Sequence, residues 1–225
     1  MTKIRLTPLQ KDTLEFIGQN SFGLHFYWTG GTLLAYHYLS HRFSEDLDFF
    51  SEELFAADDY LIFLNLLKKA LKLKKISYTL DKNRRLYLLE NNQEKIKLEL
   101  VYFPFLRIEK VARLPEFNLA IDSLTDIMVN KILSTYQRNE VKDIYDLYFY
   151  LSQKPKYNLA QLVKLVDKKF GVQIEPVLLL SKINVLIDSL KKLKPVLIQP
   201  SQNIDQEIKK FFQGIFNRLA RKKIR

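Results

Sequence analysis

Hydrophobic and polar residues follow two different periods along the chain, and the change of period predicts two regions. Up to about residue 120, short alternating or apolar runs that are typical of strands are mixed with helical runs. Beyond that point, apolar residues recur every three or four positions, which predicts helices almost throughout. We therefore expect an α+β fold, with a mixed sheet flanked by helices over residues 1–120 and a mainly helical domain over residues 121–225.

The same patterns place the individual elements. Thr7-Pro8 is a typical start for the first helix, and Pro104 and Pro115 bound a stretch that we expect to be irregular. Strands are expected at residues 24–29, 46–50, 77–80, 84–89 and 95–103, the last two joined as a hairpin. Helices are expected at residues 8–20, 33–39, 57–73, 123–137, 141–151, 159–170, 176–193 and 204–219.

A pair of glycines separates the first predicted strand from the helix after it. Gly30 and Gly31, with Thr32 next in the chain, let the backbone approach a bulky group closely. The free N–H groups at a helix start favour an anion such as phosphate. An ordinary turn would also explain two adjacent glycines, so the pair alone does not establish a phosphate site.

Two aspartates lie in the next predicted strand. Strand alternation sends Asp46 and Asp48 to one face, about 7 Å apart along the strand. Like charges on one face repel, so the pattern needs a cation or solvent to be tolerable. Hard carboxylate oxygens of this kind suit Mg²⁺ or Mn²⁺, which also binds substrate phosphates. The order strand, Gly-Gly-Thr, helix, Asp-x-Asp therefore predicts a phosphate cradle and then a metal site.

The stretch Gly-Gly-Thr-Leu-Leu, with His-Arg-Phe-Ser-Glu-Asp-Leu-Asp-Phe-Phe-Ser after it, resembles the first motif of the nucleotidyltransferase superfamily, in the form found in the AbiEii/AbiGii toxin family. The resemblance implies that Gly30, Gly31 and Thr32 hold the triphosphate of a nucleotide. It makes Arg42 and Ser44 candidates for nucleotide contacts.

A third carboxylate is predicted on the strand at residues 95–103. Glu99 points away from the apolar face formed by Ile96, Leu98 and Leu100. The superfamily places a metal-binding or basic carboxylate on a strand next to the Asp-x-Asp strand, so the resemblance makes Glu99 a candidate metal ligand. Family members usually carry Asp there, so Glu99 departs from the pattern. The alternative is an exposed face on which Glu99 pairs with Lys97.

The helical region carries a second motif. Lys131 lies on the apolar face of its predicted helix, where its charge needs either an anion or a side chain that reaches outward to solvent. In the next helix, Asp143 borders the apolar stripe, whereas Asp146 falls nearly opposite and is expected in solvent. The segment from Asp126 to Leu147 is similar to the later motif of the same toxin family, which implies that Lys131 and Asp143 complete the active site.

Composition narrows the class of partner. The 225 residues contain 36 Lys and Arg against 25 Asp and Glu, a net charge of +11, which favours polyanions such as RNA, although general solubility would also explain it. The absence of cysteine excludes a disulfide, a thiolate nucleophile and a cysteine zinc site. With no secretory signal and no apolar run long enough to span a membrane, we expect a cytoplasmic protein that does not bind a membrane.

The resemblance implies a Mg²⁺-dependent nucleotidyltransferase toxin. It would transfer a nucleoside monophosphate from an NTP to an acceptor hydroxyl and release pyrophosphate, with Asp46, Asp48 and Glu99 binding two metal ions. Relatives modify tRNA 3′ ends, which makes tRNA or another RNA the leading acceptor and a cognate antitoxin a possible partner. Two alternatives stay open: the same chemistry on a small molecule or protein, and a catalytically silent module that binds nucleic acid or antitoxin.

Overall fold

A seven-stranded mixed sheet forms the centre of the amino-terminal part of the protein. The computed structural model describes residues 4–198 and 200–223, and the chain divides into two compact units, one ending at Leu124 and the other beginning at Thr125. The strands are β1 (Tyr27–Thr29), β2 (Leu47–Ser51), β3 (Lys75–Asp81), β4 (Arg84–Glu90), β5 (Lys95–Tyr102), β6 (Ala112–Leu114) and β7 (Leu119–Ile121). Their order in the sheet is β3-β4-β5-β2-β1-β7-β6.

The pairing of β2 is the feature of the sheet that matters most for the site. β2 pairs antiparallel with β1 and parallel with β5, which aligns Thr29 with Asp48 and Asp48 with Glu99. The buried residues Leu47 and Phe49 alternate with half-buried Asp48 and Phe50, so the aspartate side chain leaves the apolar face of the sheet. The pairing brings the strand of Glu99 next to the Asp-x-Asp strand, as the resemblance implies.

Helices accompany this sheet, and their starts follow simple local rules. In α1 (Pro8–Gln19), the Thr7 side chain accepts a hydrogen bond from the Gln10 backbone N–H, and the Gln10 side chain accepts one from the Thr7 N–H. α2 (Gly30–Leu33) starts directly after β1 and continues as a π-helical segment, Leu34–Leu39. α3 (Ala57–Ala70) carries Asp58 and Asp59 in its first turn and Lys68 and Lys69 in its last, as the helix dipole favours.

The second unit is helical, as predicted. Its helices are α4 (Leu124–Gln137), α5 (Val141–Ser152), α6 (Leu159–Phe170), α7 (Pro176–Leu186), a 3₁₀ segment (Ile187–Val196) and α8 (Ile204–Lys223). Among the buried residues of this unit are Ile144 and Leu147 of α5, Leu179 of α7, and Ile208 and Phe212 of α8. The predicted α+β class is confirmed. None of the helices in the described ranges combines the length and apolar character needed to cross a bilayer.

The structure corrects the expected elements at three places. The strand expected at residues 24–29 is limited to Tyr27–Thr29, because Gly23–His25 forms a 3₁₀ turn. β6 lies between Pro104 and Pro115, where an irregular connection was expected, and β7 follows Pro115, where no strand was expected. The helix expected at residues 176–193 changes to a 3₁₀ segment after Leu186.

Candidate active site

The turn from β1 into α2 presses directly against an aspartate. Gly30 has a φ of +78°, a left-handed conformation that favours glycine. A Cβ atom at this position would lie 1.9 Å from the Oδ2 atom of Asp48. Only a residue without a side chain therefore fits between the backbone and this carboxylate, and the first glycine of the motif and the second aspartate are in direct contact.

The second glycine faces a different pair of side chains. A Cβ atom at Gly31 would lie 2.8 Å from Nη2 of Arg42 and 3.1 Å from Oγ of Ser44. Arg42 is 3% exposed, so its guanidinium is held close to the glycine backbone instead of extending into solvent. The structure therefore brings four of the predicted nucleotide-binding residues together, since Thr32 is next in the chain and its hydroxyl donates a hydrogen bond to the backbone oxygen of Asp46.

The loop before β2 and the end of β1 are each fixed by a buried polar residue. The Gln10 amide donates hydrogen bonds to the backbone oxygens of Ser44 (3.1 Å) and Glu45 (3.0 Å). The Thr29 hydroxyl donates a hydrogen bond of 2.8 Å to Oδ2 of Asp122, which is 1% exposed. Buried hydrogen bonds of this kind restrict the motion of the loop and turn that present the glycines and aspartates.

The carboxylates of Asp46 and Glu99 share a lysine. Lys97 Nζ lies 2.9 Å from Asp46 Oδ2 and 3.1 Å from Glu99 Oε1, and Arg84 Nε lies 3.3 Å from Glu99 Oε2. Burial works to lower the pKa of Lys97, but its hydrogen bond and charge interaction with Asp46, together with those with Glu99, outweigh burial and raise the pKa above its ordinary value. Lys97 therefore carries its charge firmly at this position.

The donor set fits a metal ion that arrives with phosphates. Within the described ranges, no group of three or more His, Cys, Asp and Glu residues is arranged to hold a metal ion by itself. Mg²⁺, however, is commonly bound by one or two carboxylates and completes its shell with water and substrate phosphates. That Asp46 and Asp48, of which Asp48 contacts the glycine turn, supply such a pair stays a prediction. The role of Glu99 as a third ligand stays a prediction.

The residues of the second predicted motif form a buried ion-pair cluster within the helical unit. Lys131 Nζ lies 2.6 Å from Asp143 Oδ1 and 2.8 Å from Asp146 Oδ2, and the two aspartates are fully buried. Arg138 reaches the other oxygen of Asp143 with two nitrogens, at 3.0 and 3.1 Å. Of the two possibilities for Lys131, the structure shows the anion partner: the side chain is 9% exposed and does not reach outward.

The expected solvent position of Asp146 is wrong. Asp146 is 0% exposed, because residues on more than one face of α5 are buried. A charge in such a place needs a partner, and Lys131 provides it. A second buried pair joins α6 to α4, where Lys169 Nζ lies 2.7 Å from Asp126 Oδ1.

Three residues of these networks, Lys97, Asp122 and Asp146, had not been identified as site residues from sequence. The sequence indicates Lys97 only as a possible partner of an exposed Glu99, and it predicts Asp146 in solvent. Alternation in β5 was the one available signal for Lys97, because it puts Lys97 and Glu99 on the same face.

Comparisons with known proteins identify the family of the chain. The family model described as nucleotidyl transferase AbiEii toxin, type IV TA system, matches residues 14–222. Comparison with curated protein sequences finds no significant match.

Two solved structures share the fold over nearly the whole chain. JHP933 from Helicobacter pylori has a TM-score of 0.56 at 19% identity, covering 96% of this chain and 92% of that one. MenT4, a nucleotidyltransferase toxin from Mycobacterium tuberculosis, has a TM-score of 0.58 at 17% identity, covering 90% of this chain and 80% of that one. At these identities the likeness concerns the fold alone, whereas the family model includes both motifs. The chain therefore belongs to the AbiEii nucleotidyltransferase toxin family of type IV toxin–antitoxin systems.

Proposed function

We propose that this protein transfers a nucleoside monophosphate from an NTP to an acceptor hydroxyl on tRNA or another RNA, in a Mg²⁺-dependent reaction that releases pyrophosphate. Membership of the family implies nucleotidyl transfer from an NTP and an antitoxin partner. The metal, the acceptor and the released product are our proposal. Because its substrates, nucleoside triphosphates and RNA, are present in the cytoplasm, we propose that the protein acts there.

The observation that carries the proposal is the contact between Gly30 and Asp48. A metal-binding carboxylate and a phosphate-binding backbone must be adjacent, because in nucleotidyl transfer the metal and the phosphate oxygens bind each other. Space for less than one Cβ atom separates the turn from Asp48 Oδ2. A side chain at Gly30 would therefore displace the Asp48 carboxylate from its position beside the turn.

Each of the other residues has a role that its surroundings support. Asp46 and Asp48 would hold the divalent ion, which, when bound, would neutralise charge on the attacking and leaving oxygens. Arg42, held against Gly31, would neutralise negative charge on the triphosphate, and Ser44 and Thr32 would offer hydroxyl groups beside it.

For Lys131 and Asp143 we propose the roles that the family resemblance implies. Lys131 would contact phosphate, and Asp143 would orient it or accept the proton of the acceptor hydroxyl. The distance of 2.6 Å between Lys131 Nζ and Asp143 Oδ1 supports the orienting role, because a charge-assisted hydrogen bond this short fixes the ammonium.

The excess of basic residues supports RNA as the acceptor. A net charge of +11 gives an attraction to polyanions that a small neutral acceptor would not use. We expect the affinity for RNA to fall as the salt concentration rises, because salt cations compete for the RNA phosphates. The same chemistry on a protein or small molecule would show no such dependence on RNA.

The experiment that tests the proposal combines purified protein, Mg²⁺, each of the four α-labelled NTPs and total tRNA. We expect label on RNA with wild type, no label with Asp48→Ala, and undiminished label with Asp12→Ala, which removes an exposed carboxylate from α1. Label on the protein itself or on a small molecule would move the acceptor to the alternative class. Absence of transfer with every NTP, together with unchanged growth inhibition by Asp48→Ala in cells, would leave a module that acts by binding.

A further inference from the structure

Lys97 occupies the space between two carboxylates that a two-metal site would need. Its ammonium lies within 3.1 Å of both Asp46 and Glu99, and a third of its side chain or less is exposed. The three residues are neighbours in the sheet, because β2 and β5 run parallel with Leu47 beside Leu98, so that Asp46, just before β2, lies near Lys97 and Glu99 within β5. An ion pair to each of two carboxylates is the arrangement that a bridging metal ion would otherwise make.

Glu99 is committed to cations of the protein on both of its oxygens. Oε1 lies 3.1 Å from Lys97 and Oε2 lies 3.3 Å from Arg84, and the Glu99 side chain is only 8% exposed. A carboxylate that binds a metal ion directly would have to give up at least one of these pairs. Breaking an ion pair at a mostly buried carboxylate is costly unless the new cation replaces it fully.

The charges at the site agree with a single metal ion. Lys97 and Arg84 together offset two of the three negative charges that Asp46, Asp48 and Glu99 carry. One divalent ion is then enough to give these five side chains and the ion a positive total, which attracts a triphosphate. Three carboxylates without these cations would need two divalent ions to reach the same charge.

We propose that Lys97 takes the electrostatic place of a second metal ion: the site holds one divalent ion, at Asp46 and Asp48, and Glu99 positions Lys97 instead of binding metal. This inference rests on the proposed function for the identity of the metal-binding aspartates, and it refines the role first expected of Glu99. Lys97 is then a residue that sets the number of metal ions, without itself transferring a proton or forming a bond.

The test counts bound Mn²⁺ in solution, because free Mn²⁺ gives a sharp electron paramagnetic resonance signal that is lost on binding. Protein is titrated with MnCl₂ alone, without NTP or acceptor. We expect one ion per chain for wild type, for Lys97→Arg and for Glu99→Gln, and two for Lys97→Met, in which Asp46 Oδ2 and Glu99 Oε1 lose the ammonium that a second ion would replace. Lys95→Met is the matched control, because it removes a lysine from the same strand that is paired with Glu90 instead. Lys95 Nζ lies 3.9 Å from Glu90 Oε2, and the variant should bind one ion.

The outcomes separate this inference from the proposed function. Two ions in wild type, a count of one in a folded Lys97→Met protein, or loss of the ion in Glu99→Gln would each overturn the role of Lys97, even if nucleotidyl transfer is observed. If Lys97→Met does not fold, the Glu99→Gln count decides by itself. One ion in wild type and two in Lys97→Met would support the inference even if no NTP were ever turned over.

Discussion

Lys131 and Asp146 form an ion pair of 2.8 Å inside the helical unit, with the lysine side chain 9% exposed and the aspartate fully buried. Asp143 contacts the same ammonium at 2.6 Å, so one lysine compensates two buried carboxylates, with Arg138 assisting at Asp143. Buried charges are tolerated only while their partners of opposite charge are present. Removal of either aspartate is therefore expected to lower the stability of the protein and to change the orientation of Lys131.

Replacing Asp146 by Ala should destabilise the protein by about 1–3 kcal/mol, because the buried Lys131 ammonium loses one of its two carboxylate partners and keeps Asp143. Urea unfolding followed by circular dichroism measures this change. Asp167→Ala, which removes an exposed aspartate from α6, is the control and should stay within about 0.5 kcal/mol of wild type. Equal stabilities for the two variants would contradict the buried pair.

The buried pair of Lys169 and Asp126 predicts that two neighbouring lysines of α6 contribute differently to stability. Lys169 is buried against Asp126, whereas Lys168, next to it in α6, is exposed. Lys169→Met leaves the Asp126 carboxylate buried with less compensation and should destabilise the protein by about 3–5 kcal/mol. Lys168→Met should change stability by less than about 0.5 kcal/mol. The same urea titration compares both variants, and a small effect at residue 169 would show that Asp126 does not depend on this lysine.

Alanine substitutions at two glycines with left-handed backbone distinguish the cost of a positive φ from the cost of a collision with the Asp48 carboxylate. Gly30 and Gly171 have φ values of +78° and +66°, but a Cβ atom would collide with Asp48 at the first position and meet nothing within 4 Å at the second. Gly171→Ala should cost only about 1–2 kcal/mol, the ordinary penalty of the conformation.

Gly30→Ala adds a steric collision to that penalty, so it should abolish nucleotide binding as well as reduce stability. Thermal unfolding and binding of a labelled, non-hydrolysable NTP analogue measure the two effects separately. Nucleotide binding by folded Gly30→Ala equal to that of Gly171→Ala would exclude the glycine turn from the phosphate site.

The free energy of unfolding should fall at alkaline pH because of the buried Tyr87. Burial raises the pKa of Tyr87 to about 12, whereas tyrosine in an unfolded chain ionises near 10. Between these values the unfolded state has already lost the proton that the folded state keeps, so stability falls as pH rises from about 10 to about 12 and is fully present below 10.

Urea unfolding at a series of pH values measures how steeply the free energy of unfolding falls with pH. Tyr87→Phe should make the loss shallower over the same range, while Tyr136→Phe, which changes an exposed tyrosine of α4, should leave it unchanged. The reverse result, with the slope altered by the exposed residue, would contradict burial as the cause.

The sequence predicted the parts of the site that depend on local pattern. Gly30 and Gly31 mark the turn, and Asp48 follows the alternation predicted for the strand, whereas Asp46, predicted in the same strand, lies one residue before its observed start at Leu47. β6 and β7 are three residues each, too short for alternation to be detected. Their place beside β1 depends on the sheet as a whole.

The missed side chains have the same explanation. The contact of Lys97 with Asp46 requires the parallel pairing of β2 with β5, and the hydrogen bond from Thr29 to Asp122 joins residues 93 positions apart. Periodicity also misplaced Asp146, because a single apolar stripe assumes a helix with one buried face. α5 buries Tyr145 and Asp146 in addition to Ile144 and Leu147.

Nucleotidyl transfer is tested most directly by comparing two positions of the radioactive label in the same NTP. Transfer of a nucleoside monophosphate requires attack at the α-phosphorus, so α-labelled NTP should label the RNA acceptor, whereas γ-labelled NTP should release all of its label as pyrophosphate. Wild type should give this result in Mg²⁺, and Asp48→Ala should give neither product. Transfer of the γ-label to the acceptor, or label transfer that persists in Asp48→Ala, would contradict nucleotidyl transfer at the site formed by Gly30 and Asp48.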